Sequence, residues 1–295
     1  MSRFVRNLAK YRQIGAASGN FMYLLIISFK LMSISGLILL VIASVTLVSC
    51  SRGMSVKQIN SAVLSAQKTY NSSSKWQDRE RAIKSVKPFE TKRALELKMA
   101  ATEDTHSKVR VQAVMGLAPF IRDDNVKDKL ILMSQKDREI PVRYASLKTL
   151  ANNPDISMYG LFEKYTYDTD WLFREIAYRG IMGITDEQMN EKSTALLIRG
   201  LSDSQETVQI TILKSIKLQN DELYQSIRKN FFIKDYEKKI TLLCATLKAV
   251  KGYNMDIRVR ERVEQLILHQ NKEVRVLALR ALKSEPDYVN RNNKK

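Results

Sequence analysis

The stretch VRVQAVMGL at residues 109–117 decides the fold, because altered copies of it recur along the chain. Residues 142–150 read VRYASLKTL, residues 173–181 read FREIAYRGI, and residues 274–282 read VRVLALRAL. Weaker copies begin at Asp78, Val208 and Ile240. The seven start points are then 31, 33, 31, 35, 32 and 34 residues apart. Such near-constant spacing is typical of a protein built from repeated structural units.

Each copy predicts a helix, and a second apolar segment before it predicts another. Within a copy, the apolar residues at offsets 0, +4, +5 and +8 fall on one face of a helix. Offset +4 is often alanine, as at Ala113, Ala177 and Ala278, which we expect to be buried where helices approach closely. Isolated helix pairs cannot bury their apolar faces, whereas stacked pairs can. The sequence therefore predicts an all-α solenoid of about seven helical hairpins over residues 51–284.

Aspartates and arginines recur in the predicted turns that lead into these helices. The pairs are Asp104 with Arg110, Asp137 with Arg143, and Asp170 with Arg174, and the last copy keeps Arg275. The first two pairs are six residues apart, and the third is four apart. Two further turns have an aspartate, Asp203 and Asp235, but the residues six positions later are Gln209 and Thr241 and not arginines. We expect a structural role, because the aspartate can cap the helix and accept hydrogen bonds from an arginine of its own or a neighbouring unit.

In this pattern the units resemble HEAT repeats, particularly the short bacterial form that is also seen in phycobilin lyases. The resemblance covers nearly all of the chain after residue 50. It implies an architecture of stacked helix pairs and a habit of binding other molecules, and it implies no particular reaction.

The first 50 residues form a basic region followed by an apolar run. They contain Arg3, Arg6, Lys10, Arg12 and Lys30 and no acidic residue. The uncharged stretch after Lys30 spans 19 residues, about the length that crosses a bilayer core. A buried core helix is the alternative, although such a helix is usually shorter and apolar on one side only.

The apolar run ends in Leu47-Val48-Ser49-Cys50, which resembles the lipobox of bacterial lipoproteins. The resemblance implies that Cys50 is lipidated, that the signal peptide is cut before it, and that the rest of the chain is anchored on the exported side of a bacterial cell envelope. The long leader leaves open a start at Met22 or Met32, and also an uncleaved membrane helix. Which membrane carries the anchor stays unresolved. The predicted domains are a signal or anchor at 1–50, the solenoid at 51–284 and a basic disordered tail at 285–295.

The chain is strongly basic. Its 49 Lys and Arg against 31 Asp and Glu give a net charge of +18, which favours an anionic partner such as an acidic protein, anionic lipid or nucleic acid. The residues at offset +6 of the copies are Lys84, Met115, Lys148, Arg179, Lys214, Thr246 and Arg280. Offset +6 points nearly opposite the apolar face, so its five cations predict an exposed basic ridge. In HEAT arrays the second helices line the concave surface, so the resemblance places this ridge there.

The sequence offers no residue pattern typical of catalysis or metal binding. Its two histidines, His106 and His269, lie in different units and have no Cys or His at metal-ligand spacing. Cys244 stands at offset +4 of the copy that starts at Ile240, where the copy at residue 109 has Ala113. This position favours a small buried side chain over a nucleophile. No glycine-rich phosphate loop is present. We therefore expect no enzyme activity, no cofactor, no metal and no small-molecule substrate.

Residues 159–178 contain seven aromatic side chains, for which core packing and a contact patch are both possible explanations. The leading functional hypothesis is a membrane-anchored scaffold that binds another protein with an acidic surface. One alternative is a basic repeat protein that binds nucleic acid, which export from the cytoplasm would disfavour. The other is a HEAT-type lyase, for which the sequence offers no pigment-handling site.

Overall fold

The computed structural model describes residues 54–184, 190–216, 221–232 and 239–284. The chain divides into two units, residues 1–59 and residues 60–295. The predicted anchor with Cys50, the acid Asp235 and the predicted tail at 285–295 lie outside the described residues. Within the described ranges, no helix combines the length and the apolar character needed to cross a membrane.

Fourteen α-helices in seven consecutive pairs make up most of the described ranges. We number them α1 to α14 and the pairs as units 1 to 7. The first helices are α1 (Val56–Ser72), α3 (Lys92–Ala101), α5 (Asp124–Lys136), α7 (Tyr159–Tyr165), α9 (Asn190–Gly200), α11 (Asp221–Ile227) and α13 (Ile257–Gln265). The second helices are α2 (Trp76–Val86), α4 (Ser107–Gly116), α6 (Ile140–Ala151), α8 (Trp171–Gly183), α10 (Glu206–Ser215), α12 (Ile240–Ala249) and α14 (Lys272–Lys283). The predicted all-α fold of about seven hairpins is confirmed.

Local side-chain caps fix where several helices begin. The capping residues Thr91, Asp123, Asp170, Asp256 and Asn271 each accept a hydrogen bond from a backbone N–H in the first turn of the helix that follows. Such a cap satisfies N–H groups that have no partner inside the helix. These helix starts are therefore specified by the residue next to them rather than by distant contacts.

The second helices form one continuous layer. Each packs against the second helix of the next unit, from α2 through to α14, whereas the first helices approach one another less closely. Apolar residues of both sets of helices meet in a single core that extends from Val114 to Leu282. Ala113, Ala177 and Ala278 are each 0% exposed, as predicted. The small side chain at offset +4 thus lies where neighbouring helices are in close contact.

The sixth copy begins two residues later than predicted. Four residues in α12 and at its C-terminal cap are at most 1% exposed: Leu242, Thr246, Leu247 and Val250. They match offsets 0, +4, +5 and +8 only if the copy starts at 242. The predicted start at Ile240 was wrong because a threonine at offset +4 interrupts the apolar pattern. The Thr246 hydroxyl can be buried because it donates to the Leu242 carbonyl at 2.9 Å. Cys244 is buried as predicted, but at offset +2 and not in the alanine position.

Candidate functional site

Arginines of the second helices bind aspartates in the turn of the following unit. Arg110 donates from Nε and Nη2 to the two carboxylate oxygens of Asp137, each at 2.8 Å. The pairs Arg79–Asp104 and Arg174–Asp203 repeat this geometry at 2.7 to 2.9 Å. The side chains in these three pairs are at most 14% exposed. Of the two arrangements that the sequence left open, the arginine therefore uses the carboxylate of the neighbouring unit.

The same arginines also fix the turn of their own unit. Nη1 of Arg110 donates to the carbonyl oxygen of Asp104 at 2.9 Å. Equivalent bonds run from Arg143 to Asp137, from Arg174 to Asp168 and from Arg275 to His269, at 2.8 to 2.9 Å. The residue six positions before each arginine therefore occupies a constant place in the turn.

In unit 4 that place belongs to Asp168 and not to the predicted Asp170. The Asp168 carboxylate accepts the N–H of Asp170 at 2.8 Å, as the equivalent aspartates accept the N–H two residues further on. Asp170 instead caps α8 by accepting the N–H of Leu172 at 2.9 Å. The six-residue spacing to Arg174 could have identified Asp168 from the sequence. In unit 7 the place is taken by His269, whose Nδ1 accepts the N–H of the residue two positions on at 3.0 Å.

The ion pairs keep the turn carboxylates ionised. Burial raises the pKa of Asp137, but the hydrogen bonds from Arg110 and from the Glu139 backbone, with the attraction of Arg110, outweigh burial and hold the pKa below its ordinary value. The same opposition lowers the pKa of Asp104 and of Asp203. These buried and hydrogen-bonded groups couple neighbouring units, and we assign the arginine–aspartate ladder a structural role.

The cations at offset +6 lie on the opposite, exposed side of the second helices. All five of the predicted cations are exposed: Lys84 in α2, Lys148 in α6, Arg179 in α8, Lys214 in α10 and Arg280 in α14. With the corrected start of the sixth copy, the equivalent residue of α12 is the exposed Lys248 and not the buried Thr246. We call these six residues the basic ridge. In α4 the equivalent position is held by Met115, which is 41% exposed.

Carboxylates compensate some of the ridge cations and leave others uncompensated. Arg179 pairs with Glu175 one helical turn away, and Glu175 is only 7% exposed. Lys248 lies 3.4 Å from Glu273 of the next unit. Lys84, Lys148 and Lys214 have no carboxylate of the described ranges within ion-pair distance. Arg280 likewise has no ion pair with a carboxylate of the described ranges, so units 1, 3, 5 and 7 present the least compensated positive charge of the ridge.

A row of largely covered side chains runs beside the ridge, at offset +2. Its members Val111, Tyr144 and Ile210 are half-buried, and the Lys148 Nζ lies 5.8 Å from the centre of the Tyr144 ring. Its acidic members are already engaged, since Gln112 donates to Glu80 at 3.4 Å and Thr211 donates to Glu175 at 2.9 Å. The member in unit 7, Val276, is 39% exposed, so the described surface beside the ridge carries scattered apolar atoms that are mostly half-covered.

The aromatic residues of unit 4 are mainly core. Five of them, Tyr159, Phe162, Tyr165, Phe173 and Tyr178, are at most 9% exposed. The rings of Tyr165 and Phe173 stack with their centres 5.6 Å apart. Tyr167 differs, because it is 65% exposed and lies 3.4 Å from the Arg199 guanidinium carbon. Core packing therefore accounts for most of this aromatic-rich region.

The histidines and the described cysteine have structural surroundings. His106 stacks on Trp76 with ring centres 4.0 Å apart, and its Nδ1 accepts the N–H of Lys108 at 3.3 Å. Burial raises the pKa of the Cys244 thiol, which disfavours the reactive thiolate. Within the described ranges, no three His, Cys, Asp or Glu residues are grouped as metal ligands would be. The basic ridge is thus the strongest candidate for a functional surface.

Comparison with known proteins gives structural similarities at low TM-scores. No protein-family description and no curated protein matches this chain. A solved engineered protein is similar with a TM-score of 0.47 and 16% identity, over 75% of this chain and 67% of that chain. Human deoxyhypusine hydroxylase in complex with glycerol has a TM-score of 0.35 and 12% identity, over 77% and 96%. Computationally designed armadillo repeat proteins for modular peptide recognition have a TM-score of 0.33 and 16% identity, over 75% and 98%.

Proposed function

We propose that this chain is a membrane-attached helical-repeat scaffold, without enzyme activity, that binds an acidic segment of another protein along the basic ridge. The observation that carries the proposal is the ridge itself, because six of seven units place an exposed cation at the same helical position. Side-by-side packing of the second helices brings these cations into one line. A line of partly uncompensated charge attracts an opposite charge and sets the register of a bound partner.

Membrane attachment rests on residues 1–50. The apolar run and the Leu47-Val48-Ser49-Cys50 motif support a lipid on Cys50, with the solenoid on the exported side of a bacterial cell envelope. Two or three acyl chains hold a protein stably on a membrane, whereas one chain gives marginal binding. An uncleaved N-terminal helix would give the same attachment without a lipid.

Nucleic acid is the second candidate partner, because a line of cations also suits a phosphate backbone. The net charge of +18 favours this candidate, and export would separate the protein from cytoplasmic nucleic acid. Cell fractionation discriminates between the two. Recovery with membranes agrees with the scaffold proposal, and recovery from the cytosol together with nucleic acid would replace it.

The direct test compares two charge-reversal variants of the full chain. The ridge variant carries Lys84→Glu, Lys148→Glu and Lys214→Glu. The control variant carries Lys68→Glu, Lys136→Glu and Lys192→Glu, which are exposed lysines on the first helices of the same three units. Both variants change the net charge equally, so only the position of the charge differs. Arg179 is left in place because its reversal would set a second carboxylate beside the buried Glu175.

Each protein is extracted from its own cells in mild detergent, and the co-purified proteins are quantified by mass spectrometry at two salt concentrations. We expect folding to survive in both variants, since exposed substitutions cost about 0.5 kcal/mol or less each. The acidic partner should be lost from the ridge variant, retained by the control variant, and weakened in the wild type at high salt. Recovery of the same partners in the same amounts by all three proteins would disprove a binding role for the ridge.

A further inference from the structure

The spacing of the ridge cations restricts the conformation of what can bind them. Two hydrogen bonds show that equivalent residues of neighbouring second helices lie side by side. Gln112 donates to Glu80, and Thr211 donates to Glu175. Each bond joins offset +3 of one unit to offset +2 of the unit before it. Packed helices have axes about 8–10 Å apart. Successive ridge positions are therefore about 10 Å apart along the stack.

Polyproline II is the extended conformation that matches this interval. Its three residues per turn advance about 9.3 Å, so every third side chain points the same way at nearly the unit spacing. In a β-strand, side chains on one face recur after about 6.6–6.8 Å, and they fall out of step within two units. A bound helix would need an apolar groove for its apolar face, and the row beside the ridge is largely covered at Val111, Tyr144 and Ile210.

Met115 interrupts the row of cations between units 1 and 3. It is 41% exposed and stands between Lys84 of unit 1 and Lys148 of unit 3. Neither of these two lysines has a carboxylate partner in the described ranges. An apolar side chain at this place favours an apolar contact and gives a carboxylate no counter-charge. Over units 1 to 3 the ridge therefore presents the order cation, apolar, cation.

We propose that the ridge recognises a segment in polyproline II conformation whose acidic residues recur at every third position, with an apolar residue in place of the acid opposite Met115. This inference rests on the proposed function and adds the conformation and the side-chain order of the partner. Lys84 and Lys148 each bind one carboxylate, and Met115 contacts the apolar side chain three residues from both. Beyond Lys148, the acidic positions continue opposite Arg179 and Lys214.

The test uses the full chain in mild detergent and synthetic peptides in a fluorescence-polarisation assay at low salt. The first peptide has five contact positions separated by pairs of prolines, which hold it in polyproline II. These positions are glutamate, leucine, glutamate, glutamate and glutamate, and a second peptide has the reversed sequence because the direction of binding is open. A third peptide has the same composition but places its glutamates at every second position. A fourth replaces the leucine of the first with glutamate.

We expect the first or the reversed peptide to bind about fivefold more tightly than the third, the upper range for one exposed ion pair. It should also bind more tightly than the fourth, whose additional glutamate faces Met115 and not a cation. In Met115→Lys the preference should reverse, so that the fourth peptide binds more tightly. The matched control is Leu132→Lys, a similarly exposed apolar residue on the first helix of unit 3, and it should leave the preference unchanged.

The outcomes separate this inference from the proposed function. Equal binding of all four peptides, unaffected by Met115→Lys, would overturn the three-residue spacing while leaving an acid-binding ridge intact. Absence of binding by every peptide would overturn the inference as well, and the capture experiment with the ridge variant would then decide by itself whether the ridge binds a protein. Binding that is unchanged in the ridge variant itself would overturn both.

Discussion

The joints between early units and the joint between units 6 and 7 use different chemistry. Units 1 and 2, units 2 and 3, and units 4 and 5 are linked by buried arginine–aspartate pairs. The arginine position of unit 6 is occupied by Leu243, and the aspartate position of unit 7 by His269. Here tyrosines make the link: the rings of Tyr224 and Tyr253 stack with centres 4.3 Å apart, and the N–H of Asp256 donates to the Tyr224 hydroxyl at 3.1 Å.

This tyrosine joint also contains two ion pairs, Arg228–Asp256 at 3.1 Å and Lys248–Glu273 at 3.4 Å, but unlike the early pairs their side chains are 26–62% exposed. Burial raises the pKa of Tyr224 to about 12. Burial also raises the pKa of Tyr253 to about 12, and the hydrogen bond from Tyr253 to Asp221 adds to this increase. Both phenols thus stay protonated at neutral pH. In the early joints, by contrast, removal of one partner leaves a buried charge uncompensated. Because a repeat array is stabilised by its units and by the interfaces between neighbours, the two regions should differ in their sensitivity to single substitutions.

The largest effect is expected at the most buried ion pair. Arg110→Ala leaves Asp137 ionised and buried, and should lower the free energy of unfolding by about 3–5 kcal/mol. Urea denaturation followed by circular dichroism measures this loss. Arg81→Ala is the control, because its ion pair with Asp78 has an arginine side chain that is 77% exposed, and should cost under about 1 kcal/mol. Similar losses in both variants would mean that burial of the pair does not decide its importance.

A second effect in the early region concerns a buried lysine. Lys98 is 0% exposed, and its Nζ donates to the carbonyl oxygens of Lys87 at 3.1 Å and Phe89 at 2.8 Å. Burial lowers its pKa from 10.5 to about 8. The unfolded chain therefore binds more protons than the folded protein between about pH 8 and 10.5, so the stability contributed at this site rises with pH in that window.

The measurement compares wild type with Lys98→Met, which removes the titrating group. From about pH 7.5 to 9.5 the free energy of unfolding of the wild type should rise by about 1–2 kcal/mol relative to the variant. The range stops there because tyrosines of the unfolded chain begin to ionise near pH 10. A difference that stays constant across this range would show that Lys98 is as easily protonated in the folded protein as in water.

The smallest effect is expected at the tyrosine joint. Tyr224→Phe removes a hydroxyl that accepts the N–H of Asp256 and donates to the Asp256 carboxylate at 3.4 Å, and should cost about 1 kcal/mol. Hydrogen exchange should show the loss in units 6 and 7 before units 1 to 5. The matched control is Tyr159→Phe, because the buried Tyr159 hydroxyl has no hydrogen-bond partner in the described ranges, and its removal should be neutral or stabilising. A loss at Tyr224 as large as that at Arg110 would erase the contrast between the regions.

Much of the candidate site could be predicted from local spacing. Helical periodicity alone predicted an exposed position for five cations, and all five are exposed: Lys84, Lys148, Arg179, Lys214 and Arg280. Lys248 was missed because the start of its copy was set two residues early. The burial of Glu175, which pairs with Arg179 at i,i+4 spacing, could not be predicted either, since it depends on the neighbouring helix that supplies Thr211.

The sequence by itself determined the number of helix pairs and the faces that they bury, because hydrophobic periodicity and helix caps act over a few residues. Only the tertiary structure decided which carboxylate each arginine binds. The pairs Arg79–Asp104, Arg110–Asp137 and Arg174–Asp203 join residues 25, 27 and 29 positions apart. Their geometry depends on how one unit stacks on the next, and that stacking is set by packing across the whole interface, which no local pattern contains.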